Sequence, residues 1–323
     1  MNEKYSVTSN EVKLFKHLEN LQDIQDGRAR PVMFHISPTN VCNMACTHCC
    51  FADRDKQTFI DSKKLITFLN EIDVLGIQAI EWTGGGEPTL HPDIGDITKY
   101  AAECLHMAIG MNTNAVRINP KLDYSLFSWI RISLNILDTD MDKVKFNKNV
   151  EHITSKTKAT ACYIAGNDVT KEKLQEVVDF ANKHNLITRV APDCIQSKDK
   201  IKALIDKIAG LLEELGEKDN PRIFLSDFNI FLGQREDNCC MMHMLKPFLF
   251  SDGNIYACPS LELAEENGKN MSEEFKICKM EDVFDYYMTK FEIKHFKCSY
   301  RKYTNQNNIL NTLMKEVDDV EFC

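Results

Sequence analysis

The chain has 323 residues, 43% of them hydrophobic and 27% charged, with a formal net charge of −9 and a pI near 5.5. That is an ordinary globular composition, with room for one large domain or for a domain plus a smaller module. The acidic balance argues against a broad nucleic-acid footprint, and no apolar run is long enough to span a bilayer.

The N-terminus, MNEKYSVTSNEVKLF, lacks the layout of a signal peptide, so a cytoplasmic address is expected. Residues 1–30 read as an extension ahead of the first strand. From PVMFHISPT (31–39) onward, strand-like and helix-like runs alternate. The further strand-like runs are IQAIEWTGG (77–85), MAIGMNTN (107–114), SWIRISLNI (128–136), ATACYIAG (159–166) and LITRVAP (186–192). Between them Leu65, Phe68, Leu69 and Ile72 form one apolar stripe at helical spacing, and Leu174, Val177, Val178 and Ala181 another. A third runs from Ile201 to Leu212. Six such units imply an α/β fold on a parallel sheet, either open or curled into a barrel, with function at the C-terminal strand ends. The alternation stops near residue 220, and PFLFSDGNIYAC reads as a hairpin turning at Asp252-Gly253. The predicted division is therefore an extension (1–30), a core (31–220) and a smaller module (221–323).

Thirteen cysteines in a chain without an export signal should be thiols or metal ligands more than disulfides. Four of them stand in CNMACTHCCF, directly after the first strand. Cys42, Cys46 and Cys49 are spaced C-x3-C-x2-C, which suits three irons of a [4Fe–4S] cluster with the fourth left open. Zinc is the alternative, with His48, Cys50 or a distant residue as the fourth ligand. After the second strand comes TGGGEPTLHP, whose glycines let the backbone approach a ligand closely and whose Glu87 can receive an ammonium group. It lacks the Lys and Ser/Thr of a phosphate loop.

Taken together, CNMACTHC and GGGEP closely resemble the radical S-adenosylmethionine (SAM) superfamily over residues 31–220. The resemblance implies a partial (β/α)6 TIM-like barrel that is an enzyme. Its [4Fe–4S] cluster, with an open iron site, binds and reductively cleaves SAM, and a 5′-deoxyadenosyl radical then abstracts a substrate hydrogen. It matches Cys42, Cys46 and Cys49 to the cluster ligands, and Gly85, Gly86 and Glu87 to the segment that holds the methionyl ammonium. His48 stands at the commonly aromatic position near the adenine. Ser133 and Asn135, in RISLN, stand where polar side chains meet the ribose, although many relatives have Asp at the second position. Cys50 lies outside the pattern and reads as a buried neighbour of the cluster. Cys194, just past the sixth strand, is a catalytic candidate for returning a hydrogen atom to a product radical, weighed against an inert packing thiol.

Further on, Cys240, Gly253 and Cys258 form C-x12-G-x4-C, which on its own is compatible with zinc or an iron–sulfur cluster. Following such a core, it resembles the auxiliary-cluster extensions called SPASM and twitch domains. Arg301 occupies the place of the second cysteine in the C-x2-C of fuller SPASM modules, which points to the shorter twitch form with one auxiliary [4Fe–4S] cluster. Its expected ligands are Cys240, Cys258 and Cys298, with Cys239, Cys278 or Cys323 available as a fourth, or with one iron left open for substrate.

Relatives of this kind modify peptides or protein side chains, and the expected substrate is a peptide. The alternative is a small molecule: a sugar, an aminocyclitol or a nucleotide. A non-catalytic zinc or iron–sulfur protein is the rival class. The short N-terminal extension weakens a leader-peptide mechanism. An electron donor such as flavodoxin or ferredoxin is the implied protein partner.

Overall fold

The computed structural model describes residues 13–226, 239–260, 273–294, 296–297 and 303–315. All six strand-like runs form strands: β1 (Met33–Ile36), β2 (Ala79–Trp82), β3 (Ala108–Thr113), β4 (Trp129–Ser133), β5 (Ala159–Ala165) and β6 (Ile187–Pro192). They pair in sequence order, and every pairing is parallel. Parallel neighbours need crossovers, and helices supply most of them. These are α2 (Ser62–Val74), α3 (Ile94–Glu103), α4 (Lys143–Thr154), α5 (Lys171–Lys183) and α6 (Lys198–Glu214), with α1 (Leu18–Gln25) ahead of β1. Side-chain caps fix several helix starts. Asp61 accepts from the Lys63 and Lys64 amides, Asp142 from Lys145, and Thr170 from Lys173.

The strand register gives the sheet two unlike faces. Phe34, Ile36, Ile80, Trp82, Ile109, Met111, Ile130 and Ile132 are fully buried on the outer, helix-covered face, where Phe34 meets Phe68 of α2 edge-on. The alternate positions carry His35, Glu81, Asn112, Arg131, Cys162 and Arg189, with His35 in register with Glu81, Asn112 with Arg131 and Cys162 with Arg189. A sheet covered on both faces normally reads as continuous apolar strands, so a polar inner face marks a working surface.

A seventh strand, β7 (Ile223–Leu225), continues the parallel run beside β6, past the boundary expected near residue 220. Beyond it, β8 (Cys239–Cys240) forms a separate two-stranded sheet with β12 (Phe296–Lys297). On the far edge β9 (Phe248–Leu249) pairs in parallel with β1, and β10 (Asn254–Tyr256) and β11 (Lys276–Lys279) follow antiparallel. Gly253, at φ +81°, makes the expected hairpin turn, in the left-handed region that glycine enters without strain. Among the described residues, the result is one open sheet of ten strands with β7 and β11 at its edges. The C-terminal strands therefore extend the core sheet. A final helix, α7 (Thr304–Leu313), buries Leu310. Among the described residues, no helix is long and apolar enough to cross a membrane.

Candidate active site

The loops after β1 and β2 are locked together by hydrogen bonds from backbone amides. The Gly85 amide donates to Ser37 Oγ at 2.8 Å, and the Glu87 amide donates to the Val41 carbonyl at 2.8 Å. A Cβ on Gly85 would lie 2.1 Å from Asn40 Oδ1 and 2.7 Å from the Phe250 ring. One on Gly86 would lie 2.2 Å from the Val41 carbonyl oxygen. The two glycines thus let the second loop dock on the neck of the cysteine loop, a closer reason for their presence than ligand approach alone. Gly86→Ala should therefore cost about 1–3 kcal/mol of stability by overpacking against backbone that cannot rotate away. A lowered Tm together with lower iron content after anaerobic reconstitution would show it; an unchanged Tm would refute the docking role.

Cys42, Cys46 and Cys49 are all half-buried on that one loop. Burial and then the neighbouring Cys49 and Cys42 thiols push Cys46 up to about 11, and burial also raises Cys42. Arg54 opposes both shifts, reaches Cys49 Sγ at 3.5 Å, and pins the loop through the Asn40 carbonyl at 3.0 Å. Phe51 stacks on Phe250 at 5.6 Å, so the C-terminal strands also brace this loop. Cys50 packs against the apolar core. Among the described residues, no three His, Cys, Asp or Glu side chains converge closely enough to hold one metal ion. A cluster that takes one thiolate per iron asks for no such convergence, and the loop fits it better than mononuclear zinc.

Glu87 is buried, and its carboxylate is a hub. Oε1 accepts from the Thr89 amide (3.2 Å), Thr89 Oγ1 (2.8 Å) and Thr113 Oγ1 (2.7 Å), while Oε2 accepts from the Asn114 amide (2.7 Å). Burial raises its pKa, and these donors pull the other way. Glu87 therefore ties the rims of β2 and β3 together, and Oε2 keeps capacity for one more donor. Asn114 carries the link on, donating to Asn43 Oδ1 at 2.7 Å beside Cys42.

The remaining expected residues lie on the same rim, at the C-terminal ends of the strands. Ser133 ends β4. Asn135 is committed to β5, donating to the Ile164 carbonyl at 2.7 Å and accepting from its amide at 3.0 Å. Its amide is thus a brace between strands. Asp138, three residues on, accepts from the Tyr163 hydroxyl at 3.0 Å. Burial lowers the His48 pKa, opposed by Asp193 beyond β6 and by Asp138. Cys194 follows β6 and donates to the Pro192 carbonyl at 3.3 Å.

The inner face holds charged groups that motif reading missed. Glu81 accepts from Asn112 Nδ2 at 2.6 Å and lies 3.4 Å from His35 Nδ1. Burial alone would raise its pKa, but His35, Arg131 and Lys246 outweigh burial and hold it at about 2. Arg131 stacks over Trp129 at 5.2 Å, and Gly110 clears the space, since a Cβ there would stand 2.3 Å from the indole. Arg189 donates to Cys162 Sγ at 3.3 Å. The signal was present in FHIS, AIEWT and WIRIS, where a polar residue sits at alternate positions of strands that should be wholly apolar.

Two of the C-terminal cysteines act electrostatically on the same tyrosine as Glu81. Burial, then Cys258, Glu81 and Cys240, raise Tyr303 well above the ordinary tyrosine range. The Ser260 amide donates to Cys258 Sγ at 3.3 Å, and Asn307 Nδ2 donates to Cys240 Sγ at 3.6 Å. Cys278 belongs elsewhere. It is in register with Ile255, Leu249 and Ile36, so it lies on the outer face, beside Tyr286 and Tyr287. Cys298 and Cys323 lie outside the described residues. β12 ends at Lys297, one residue before Cys298, and pairs with the strand that holds Cys239 and Cys240.

Residues 36–181 match the model of the Radical SAM superfamily. The chain is 27% identical over 103 residues to the mycofactocin maturase MftC of Mycobacterium ulcerans, covering 32% of this chain and 27% of that protein. It is 31% identical over 113 residues to the GTP 3′,8-cyclase of Chlorobaculum tepidum, covering 32% of this chain and 33% of that protein. The chain therefore spans about a quarter to a third of the length of these curated relatives. Among solved structures, Streptococcus suis SuiB bound to S-adenosylmethionine superposes with a TM-score of 0.59 at 19% identity, covering 84% of this chain and 68% of that chain. SuiB bound to its precursor peptide SuiA superposes with a TM-score of 0.58 at 19% identity, covering 84% and 67%. This likeness carries the fold, a partial TIM-like barrel whose parallel sheet stays open.

Proposed function

We propose that residues 36–181, which match the Radical SAM superfamily model, form a radical SAM domain, and that the chain is an enzyme that generates a substrate radical on a peptide or protein side chain. The carrying observation is the single rim on which the Cys42–Cys46–Cys49 loop and the Gly85–Gly86–Glu87 loop are hydrogen-bonded to each other. Those three thiols would hold the [4Fe–4S] cluster, and the second loop would receive the SAM methionyl group. When bound, cluster and SAM together supply one-electron cleavage to methionine and a 5′-deoxyadenosyl radical for hydrogen abstraction. The chain's own work is to fix both loops, to present His48, Ser133 and Cys194 along the rim, and to shelter the substrate on the inner face.

A peptide substrate is supported by the printed descriptions of MftC as a maturase and of SuiB in complex with a precursor peptide. The similarity to the GTP 3′,8-cyclase favours a nucleotide as the second reading. We also assign Cys240, Cys258 and Cys298 to an auxiliary cluster, Cys194 to return of a hydrogen atom to a product radical, and a flavodoxin or ferredoxin to the reducing role in the cytoplasm. Reconstituted protein with dithionite and SAM should turn over faster with a short peptide encoded beside its gene than with nucleoside triphosphates. Stimulation and a mass change confined to the nucleotide would move the assignment to the second reading.

A further inference from the structure

Arg54 stands five residues after the last cysteine of C-x3-C-x2-C. Its Nε donates to the Asn40 carbonyl at 3.0 Å, ahead of Cys42, and its Nη1 donates to the Phe51 carbonyl, just past Cys49. The same Nη1 donates to Cys49 Sγ at 3.5 Å, an ordinary reach for a sulfur acceptor. Both anchoring stretches are themselves held by backbone. The Asn40 amide donates to the Thr58 carbonyl at 2.8 Å, and the Ala52 amide to the Cys49 carbonyl at 3.1 Å. Two carbonyls on either side of the three cysteines thus fix the guanidinium plane, and that plane aims a donor at one thiol. Arg54 is half-buried, and its hydrogen-bond partners are two neutral carbonyls and a thiol. Its charge therefore reaches the cysteines without a paired carboxylate among the described residues. Burial raises the Cys42 and Cys46 pKa values, and Arg54 opposes it at both.

A cluster on this loop becomes one charge more negative when it is reduced. A cation and an N–H donor at a ligating sulfur stabilise that more negative state, and so raise the reduction potential. The three thiols are only partly exposed, so solvent screens the guanidinium incompletely. We propose that Arg54 holds up the reduction potential of the cluster carried by Cys42, Cys46 and Cys49, through its bond to Cys49 Sγ. This role rests on the reading of the loop as the site that cleaves SAM. The step is a plain electron transfer: one electron passes from the reductant to the cluster, and Arg54 neither gains nor loses a proton. Arg54 is a positioning and tuning residue, and it keeps the cluster within range of a low-potential one-electron donor.

The test is a redox titration of the anaerobically reconstituted full chain, followed by electron paramagnetic resonance. The signal that changes on addition of SAM identifies the cluster of this loop. At the wild-type midpoint potential, Arg54→Gln should lower the ratio of reduced to oxidised cluster about tenfold, equal to about 59 mV for one electron. Arg54→Lys keeps the cation without the planar fork and should recover part of that ratio. Direction separates tuning from mere bracing of the loop. A loosened loop admits water, which stabilises the more negative state and moves the ratio up. Iron and sulfide are measured on every variant. Wild type grown with arginine labelled with heavy nitrogen needs no substitution: its reduced, SAM-responsive signal should show a weak coupling to the labelled nitrogen. That arm decides the matter if the variants fail to hold iron, and absence of the coupling would then overturn the proposal. At full iron content, an unchanged or raised ratio in Arg54→Gln would overturn it, as would an Arg54→Lys ratio no nearer to wild type. A SAM-responsive cluster whose potential ignores Arg54 sinks only the tuning role. Wild type without any SAM-responsive signal sinks the reading of the loop, and the role with it.

Discussion

Cys46→Ala should reduce SAM cleavage to the protein-free background, the largest effect expected from any single substitution. Cys46 is the middle of three thiols on one loop, close enough to Cys42 and Cys49 that each raises its pKa. As free thiols Cys42 and Cys46 resist deprotonation, so iron must supply the charge that holds them as thiolates. Removing the middle ligand leaves two thiolates and two irons without protein ligands, and such a remnant is lost or rearranged. The fold should survive, because Cys46 is not among the buried core residues and the loop neck is held by Thr39, Arg54 and Val41 instead. The check is a paired assay of 5′-deoxyadenosine formation and Tm. Unchanged Tm with abolished cleavage is the predicted result; retained cleavage would remove Cys46 from the ligand set.

The triple variant Cys42→Ala, Cys46→Ala, Cys49→Ala should retain about four irons and matching sulfide, all of them outside the loop of residues 42–49. Cys240 and Cys258 are both buried and both act on Tyr303, and Cys298 follows directly on the strand that pairs with Cys239–Cys240. A cluster there would lie near the inner face, placed to take an electron from a substrate radical and make the net reaction an oxidation. Adding Cys258→Ala to the triple variant should remove that iron. Cys278→Ala should not, because Cys278 sits on the opposite face of the sheet. A triple variant that binds zinc and retains no iron or sulfide would make the C-terminal site a structural zinc site. Loss of iron on Cys278→Ala would contradict the face assignment.

The parallel sheet was legible because β-branched and apolar runs alternate with helical stripes, and period alone separates the two. The rim position of both motifs followed from that alternation. The continuity of the C-terminal strands with the core was not legible. β9 is two residues long, and its pairing with β1 depends on contacts more than two hundred residues apart in sequence. Glu87 was found by its motif, but its bonds to Thr113 and Asn114 come from the next strand, which spacing cannot reveal. Asn135 illustrates the converse. Its position matched a pattern, while its amide is spent on the β5 backbone. The charged inner face had a readable signal in its alternating polar positions, but the side it faces depends on register.

The most direct test of the central claim is anaerobic incubation of the reconstituted wild-type chain with dithionite and SAM, with 5′-deoxyadenosine and methionine quantified. The loop geometry predicts that both appear in equal amounts, above a protein-free control and dependent on the reductant. A preparation with a full, reducible cluster that forms neither product, with or without cell extract as a source of substrate, would contradict it.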